Sequence, residues 1–212
     1  MSHHTFLLKK KCSLIYFYSI LLLHGCSIFK PIKGSPLYYY TIAATPLSSS
    51  CHAAKQYTRN TVLVTQPRAN AIYSSTRMIY IPDYYQLQYF TQNRWADTPP
   101  HMLHPLLIRS LQNTGHFQAI INTPSTTCYD WILNTQLLSF QQEFLTTPSQ
   151  FRIALRAQLI NARTNRIIAT KDFIATEKAP MENPHGGVIA ANQATQKALR
   201  KIARFCLENS AQ

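Results

Sequence analysis

His101 and His104 stand three residues apart in a stretch with helical spacing, close enough on one helix face to share a metal ion. A zinc site needs at least one further protein ligand, and no Cys/His spacing in the chain supplies it, so the pair reads as two surface histidines and no metal is implied. His185-Gly186-Gly187 places small residues ahead of a helical stretch, either as an anion nest at a helix start or as a loop-to-helix hinge, the plainer reading. Only eight carboxylates occur, none in an obvious acid–base pair. The G-x-S-x-G, phosphate-loop, H-E-x-x-H and G-x-G-x-x-G patterns are absent. These residues do not describe an enzyme, and they imply neither catalytic residues nor a cofactor.

Cys26 is different, because its surroundings give its thiol a specific fate. Lys9-Lys10-Lys11 precede an apolar run that ends in Leu21-Leu22-Leu23-His24-Gly25-Cys26. A basic head, an apolar core of about a dozen residues and a small residue before the cut make an export signal. A cysteine just after the cut marks the signal as that of a bacterial lipoprotein: the thiol is acylated, the chain is cleaved in front of it, and the lipids hold the protein to a membrane. A spanning helix needs roughly 20 apolar residues, more than this run offers. An uncleaved apolar anchor with an incidental cysteine is the competing reading. Leu23 and Gly25 suit the cleavage motif, whereas His24 stands where Ala, Ser or Thr is usual. Ser27, rather than Asp, follows the cysteine, which by the sorting rule for such proteins is an outer-membrane address on the periplasmic side.

Residues 1–25 carry three lysines and no acid, so the +13 of the whole chain falls to +10 in the 187 residues that remain. One domain of that length buries a good core. The bases are scattered singly, which describes a solvated basic surface, and export separates the chain from nucleic acid. Cys51, Cys128 and Cys206 are far apart; they allow one disulfide in any of three pairings, or buried free thiols.

The segments divide as a signal over 1–25, a Pro/Gly-containing tether over 26–36 and a single domain over 37–212. Residues 37–42 and 61–66 are rich in strand formers. Met78-Ile79-Tyr80-Ile81 reads as a strand, Pro82-Asp83 as a turn, and 85–89 as a strand of period two. Tyr84, Tyr85, Tyr89 and Phe90 then form either an exposed aromatic patch or, by alternation, a half-buried set. Thr98 caps a helix with Pro99 at its first position, carried by Leu103, Leu106, Leu107 and Leu111 and stopped at Gly115. Three strands follow, at 130–144, 151–159 and 167–176. In the first, Leu138, Phe140, Gln142 and Phe144 share a face. In the second, Phe151, Ile153, Leu155, Ala157 and Leu159 face the core while Arg152 and Arg156 face water. A helix from about Val188 to Asn209 has a stripe of Val188, Ala191, Ala194 or Thr195, Ala198, Ile202 and Phe205, flanked by Lys197, Arg200, Lys201 and Arg204. Its small alanines suit packing on a sheet better than insertion among lipids. The fold class is α+β, an antiparallel or mixed sheet of six or seven strands with two main helices on one face.

At Asn93-Arg94-Trp95-Ala96, followed by the leucine helix, the chain resembles the ABC-type transport auxiliary lipoproteins, typified by paraquat-inducible protein C. The resemblance takes in a strand like Val62-Leu63-Val64, an extended segment like Met78-Ile79-Tyr80, the segment 137–144 and the terminal alanine-rich helix, and so covers roughly residues 37–207. It implies a non-catalytic part of a system moving lipid between inner and outer membranes. The implied partners are an MCE-domain protein, an ABC permease and an ATPase, met as a single chain or as a homo-oligomeric ring, with the membrane held through Cys26. The motif Arg94, Trp95, Ala96 is then a partner contact or a structural element: Trp95 a core anchor at the strand–helix junction, Arg94 the partner of a carboxylate. Residues 71–76 depart from the leucine-aspartate-arginine wording common in the family, which puts the identity of the partner in question. The alternative function is a stand-alone outer-membrane lipoprotein that binds lipid or supports envelope assembly.

Overall fold

A computed structural model describes residues 34–43, 58–122 and 128–210. The signal segment, Cys26, most of the tether and Cys51 lie outside the described residues. In chain order the strands are β1 (Tyr38–Tyr40), β2 (Thr58–Val64), β3 (Arg68–Ala69), β4 (Arg77–Ile81), β5 (Gln88–Trp95), β6 (Phe117–Ile121), β7 (Trp131–Glu143), β8 (Gln150–Asn161) and β9 (Arg166–Lys178). A 3-10 turn spans Ala71–Tyr73, and the helices are α1 (Pro99–Gln112) and α2 (Pro184–Ser210).

The sheet is built on β7. Along one edge β7 pairs antiparallel with β8 over its whole length, from Trp131 opposite Asn161 to Glu143 opposite Gln150, and β9 continues this meander. The other edge is shared in series by three parallel partners: β2 at Trp131–Leu133, β3 at Gln136 and Leu137, and β4 at Gln142 and Glu143. Beyond them β6 lies parallel to β2, β5 antiparallel to β4, and β1 parallel to β5. The sheet is mixed and has nine strands, against the six or seven expected. The two additions are short: β3 has two residues, and β6 follows closely on the helix stop, where Gly115 takes the left-handed φ of 61°.

A bulge corrects the reading of β7. Leu137 pairs with Leu155 and Ser139 with Ala154, so Leu138 has no partner in the ladder. Before the bulge the odd residues Trp131, Leu133, Thr135 and Leu137 are buried; after it the even Phe140 and Gln142 are. Leu138 therefore does not share the inner face of Phe140. In β8 the expected inner residues Phe151, Ile153, Leu155, Ala157 and Leu159 are all buried, and Ala154 of the opposite face is buried as well. The second half of the 78–95 hairpin also begins later than its alternation suggests, since Tyr84 and Tyr85 belong to the turn and β5 starts at Gln88.

Both helices cover one face. α2 packs on β8 and β9, and α1 packs on α2, β6 and β2. The stripe of α2 is buried as expected and is wider, taking in Ala190, Leu199, Ala203 and Cys206. Its many fully buried alanines let the helix backbone approach the sheet closely. α1 contains Pro105, which cannot donate to the carbonyl four residues back, yet the helix continues because Leu103, Leu107 and Leu111 are all buried.

Trp95, at the end of β5, is 1% exposed. Its ring centroid lies 5.1 Å from Phe140 and 6.3 Å from Phe151, and those two rings are 4.8 Å apart. This triad joins β5, β7 and β8 through one aromatic cluster. Trp95→Ala would remove the central ring and leave a cavity, so urea unfolding should show a loss of about 3–5 kcal/mol; a loss below ~1 kcal/mol would contradict the packing.

Candidate functional site

The segment Arg94-Trp95-Ala96 is bound into the sheet at every residue. The Trp95 N–H donates to the Thr76 carbonyl at 2.8 Å, and the Ala96 N–H to the Tyr40 carbonyl at 2.7 Å. The Arg94 guanidinium turns back along its own strand and donates to the carbonyls of Phe90 (2.5 Å) and Asn93 (2.9 Å). Its partners are backbone oxygens where a carboxylate was expected. The alternation of β5 and the loss of regular pairing between Arg77 and Ile79 leave those carbonyls within reach.

The two histidines of α1 look in different directions. His101 Nδ1 lies 3.2 Å from Asp97, while His104 Nε2 lies 3.0 Å from the Val64 carbonyl and so ties α1 to β2. Among the described residues no group of three His, Cys, Asp or Glu side chains is placed to hold a metal ion. Asp97 also accepts the Thr98 N–H at 2.6 Å, whereas the Thr98 side chain makes no capping bond.

Gly186 and Gly187 lie inside α2, which begins at Pro184 rather than Val188. Asn183 Oδ1 accepts the Gly186 N–H at 2.8 Å and the Asn183 carbonyl accepts the Gly187 N–H at 3.0 Å, so the donors of the supposed nest are already used. A Cβ on Gly186 would stand 2.1 Å from the Met181 carbonyl oxygen, and one on Gly187 2.1 Å from Gln142 Oε1. Close approach of backbone requires a glycine at 186, whereas at 187 the end of the Gln142 side chain would have to move.

Most carboxylates have structural partners. Asp172 receives a two-point bond from Arg156 (2.7 and 2.9 Å), Glu182 accepts the Ser149 N–H (2.7 Å), Glu143 accepts from Gln141 (3.0 Å), and Glu177 pairs with Lys197. Asp130 ties three elements together: it accepts the Thr61 N–H of β2 at 2.9 Å and an Arg163 N–H from the β8–β9 loop at 3.0 Å, just before β7 begins. The Thr61 N–H, and then Arg163, hold its carboxyl below the usual value near 3.8. Cys206 is a buried free thiol whose pKa is pushed up to about 12 by burial, and Cys128 is an exposed free thiol.

The described surface carries two open grooves of different chemistry. A polar one of 480 Å³ lies on the uncovered sheet face among Thr65, Arg68, Asn134, Gln136, Arg156 and Gln158. A basic one of 820 Å³ runs between β9 and α2, where Lys171, Lys197, Arg200, Lys201 and Arg204 outnumber Asp172 and Glu208. The helical spacing of the α2 bases was visible in the sequence; that β9 brings Lys171 beside them was not. Both grooves offer hydrogen bonds or positive charge, and neither brings a nucleophile together with a base.

The sequence profile of the family described as ABC-type transport auxiliary lipoprotein component matches residues 40–203. The chain is similar in structure to a Xanthomonas campestris protein, with 20% identity over 84% of this chain and 97% of that one and a TM-score of 0.72. An uncharacterized protein gives 16% identity, 81% and 99% coverage and a TM-score of 0.65. A hypothetical protein from Chlamydia trachomatis gives 8% identity, 72% and 98% coverage and a TM-score of 0.50. At these identities the likeness is one of fold. No curated protein matches the sequence significantly.

The junction at Asp130 has a pH signature. Its pKa is depressed in the folded state, so its stabilisation is present above the unfolded value near 3.8 and is lost as pH falls through the lower folded value. Asp130→Asn should therefore be less stable than the parent at pH 7, with the gap shrinking below about pH 4. A gap unchanged down to pH 2 in denaturant titrations would contradict the assignment.

Proposed function

Since the chain belongs to the ABC-type transport auxiliary lipoprotein components, we propose that it is a non-catalytic, lipid-anchored member of a machine that moves lipid between the two membranes of a bacterial envelope. In this reading Cys26 carries the lipids, Ser27 directs the protein to the periplasmic side of the outer membrane, and the domain docks an MCE-domain protein served by an ABC permease and an ATPase. The family match over residues 40–203 carries the proposal. The side chains support it: His104, Asp130 and the Arg94-Trp95-Ala96 motif are engaged in joining strands and helices, which leaves the surface for contact. No described helix is long and apolar enough to cross a membrane, so attachment through Cys26 suits the arrangement.

A tag at the C-terminus, crosslinking in cells and affinity purification test the proposal. The expected result is recovery of an MCE-domain protein with permease or ATPase components. Repeated recovery of the crosslinked protein without any of them would overturn it, and lipid co-purifying without a transporter partner would point to a stand-alone lipid-binding lipoprotein.

A further inference from the structure

We infer that the aromatic turn between β4 and β5 rests in the headgroup layer of a phospholipid bilayer, the same bilayer that holds the lipids on Cys26. The inference builds on the lipid-anchor reading and adds a second point of membrane contact.

At this turn Tyr85 is fully exposed (106%) and Tyr84 is 69% exposed, their rings 6.4 Å apart. Neither ring is buried in the fold. Tyr85 also takes a φ of 65°, a left-handed conformation that bulky side chains rarely adopt and that glycine or asparagine would occupy at less cost. The fold buries little of either ring. The base of the turn is stiff by contrast: Tyr80 packs on Phe90 at 4.5 Å and on Phe144 at 5.8 Å, and its hydroxyl donates to Gln88. The exposed pair thus projects from a fixed platform.

Topology sets this turn at the end of the domain where the tether attaches. β1 runs parallel to β5 with Tyr38 beside Asn93. The chain therefore enters β1 from the side of Gln88 and the turn, five residues or about 17 Å from the start of β5. Ten residues separate Cys26 from Leu37, eleven steps with a reach of at most ~40 Å. Lipids on Cys26 and the Tyr84–Tyr85 turn can therefore meet one surface. Leu37, Tyr38 and Tyr39, each at least half exposed, extend the apolar character at the entry to β1, and Lys30 and Lys33 of the tether suit anionic headgroups. A tyrosine is matched to that layer, with its ring among the upper acyl chains and glycerol groups and its hydroxyl in water. Acyl chains alone leave the domain free to swivel; the turn would fix its tilt.

The test uses the full-length chain carrying Tyr85→Trp, reconstituted in phosphatidylethanolamine/phosphatidylglycerol vesicles with or without brominated lipid. Trp95 and Trp131 are both buried, so they contribute a constant background. Thr164→Trp is the control, because the exposed β8–β9 loop lies at the Trp131 end of β7, whereas β4 leads to the turn from the Glu143 end. Vesicle-dependent blue shift and bromolipid quenching at position 85, with position 164 still water-like, supports the inference. Equal, unquenched, water-like emission from both reporters overturns it, as does a blue shift without vesicles, which would mean that a second copy covers the turn. Labelled palmitate incorporation is read in parallel: its absence overturns the anchor reading beneath, whereas label with an unquenched reporter overturns the tip contact alone.

Discussion

Everything in this domain leans on the two-sided ladder of β7. One edge is held by β8 along its full length, and the other is divided among β2, β3 and β4. Among the described residues no other strand joins β8–β9 to the rest of the sheet: remove β7, and β8–β9 with α2 lose their sheet link to β2, β6, β4, β5 and β1. The Leu138 bulge lies between the sections that pair with β3 and β4, and it changes which residues face the helices. That switch lets the first half of β7 present Leu133 and Leu137 to the core and the second half present Phe140 to Trp95.

The parts legible in the sequence are those where local pattern and tertiary burial agree. The apolar alternation of Phe151 to Leu159 and the alanine stripe of α2 were readable because one face of each is buried without interruption. The parts that were not legible depend on partners distant in the chain. The phase change at Leu138 is dictated by the pairing of Leu137 with Leu155 and of Ser139 with Ala154, and an isolated stretch of sequence carries no trace of it. The strand of Phe117–Ile121 exists because it completes the edge of β2. Arg94 satisfies its guanidinium on carbonyls of its own strand, a solution that depends on backbone geometry. Gly186 and Gly187 read as an anion nest or a loop-to-helix hinge, yet they sit in the first turn of α2, where a Cβ on either would meet Met181 or Gln142.

This division bears on function. The motif that carries the family resemblance, Arg94-Trp95-Ala96, sits in the junction of β1, β4, β5 and the aromatic triad, where its backbone and side chains bond to the sheet. What remains available to a partner or membrane is peripheral: the tethered end with its exposed tyrosines, the polar groove on the open face, and the basic groove beside α2.

The claim that β7 unites the fold is most directly tested by native-state hydrogen exchange of the full chain. The account predicts that amides of Ile132–Gln142 are the slowest in the protein and exchange only through global unfolding, while amides of β1 and the outer edge of β9 open locally. Exchange of the β7 amides as fast as those of β1, or protection of β8–β9 that outlasts protection of β2–β6, would show two independently stable halves and contradict it.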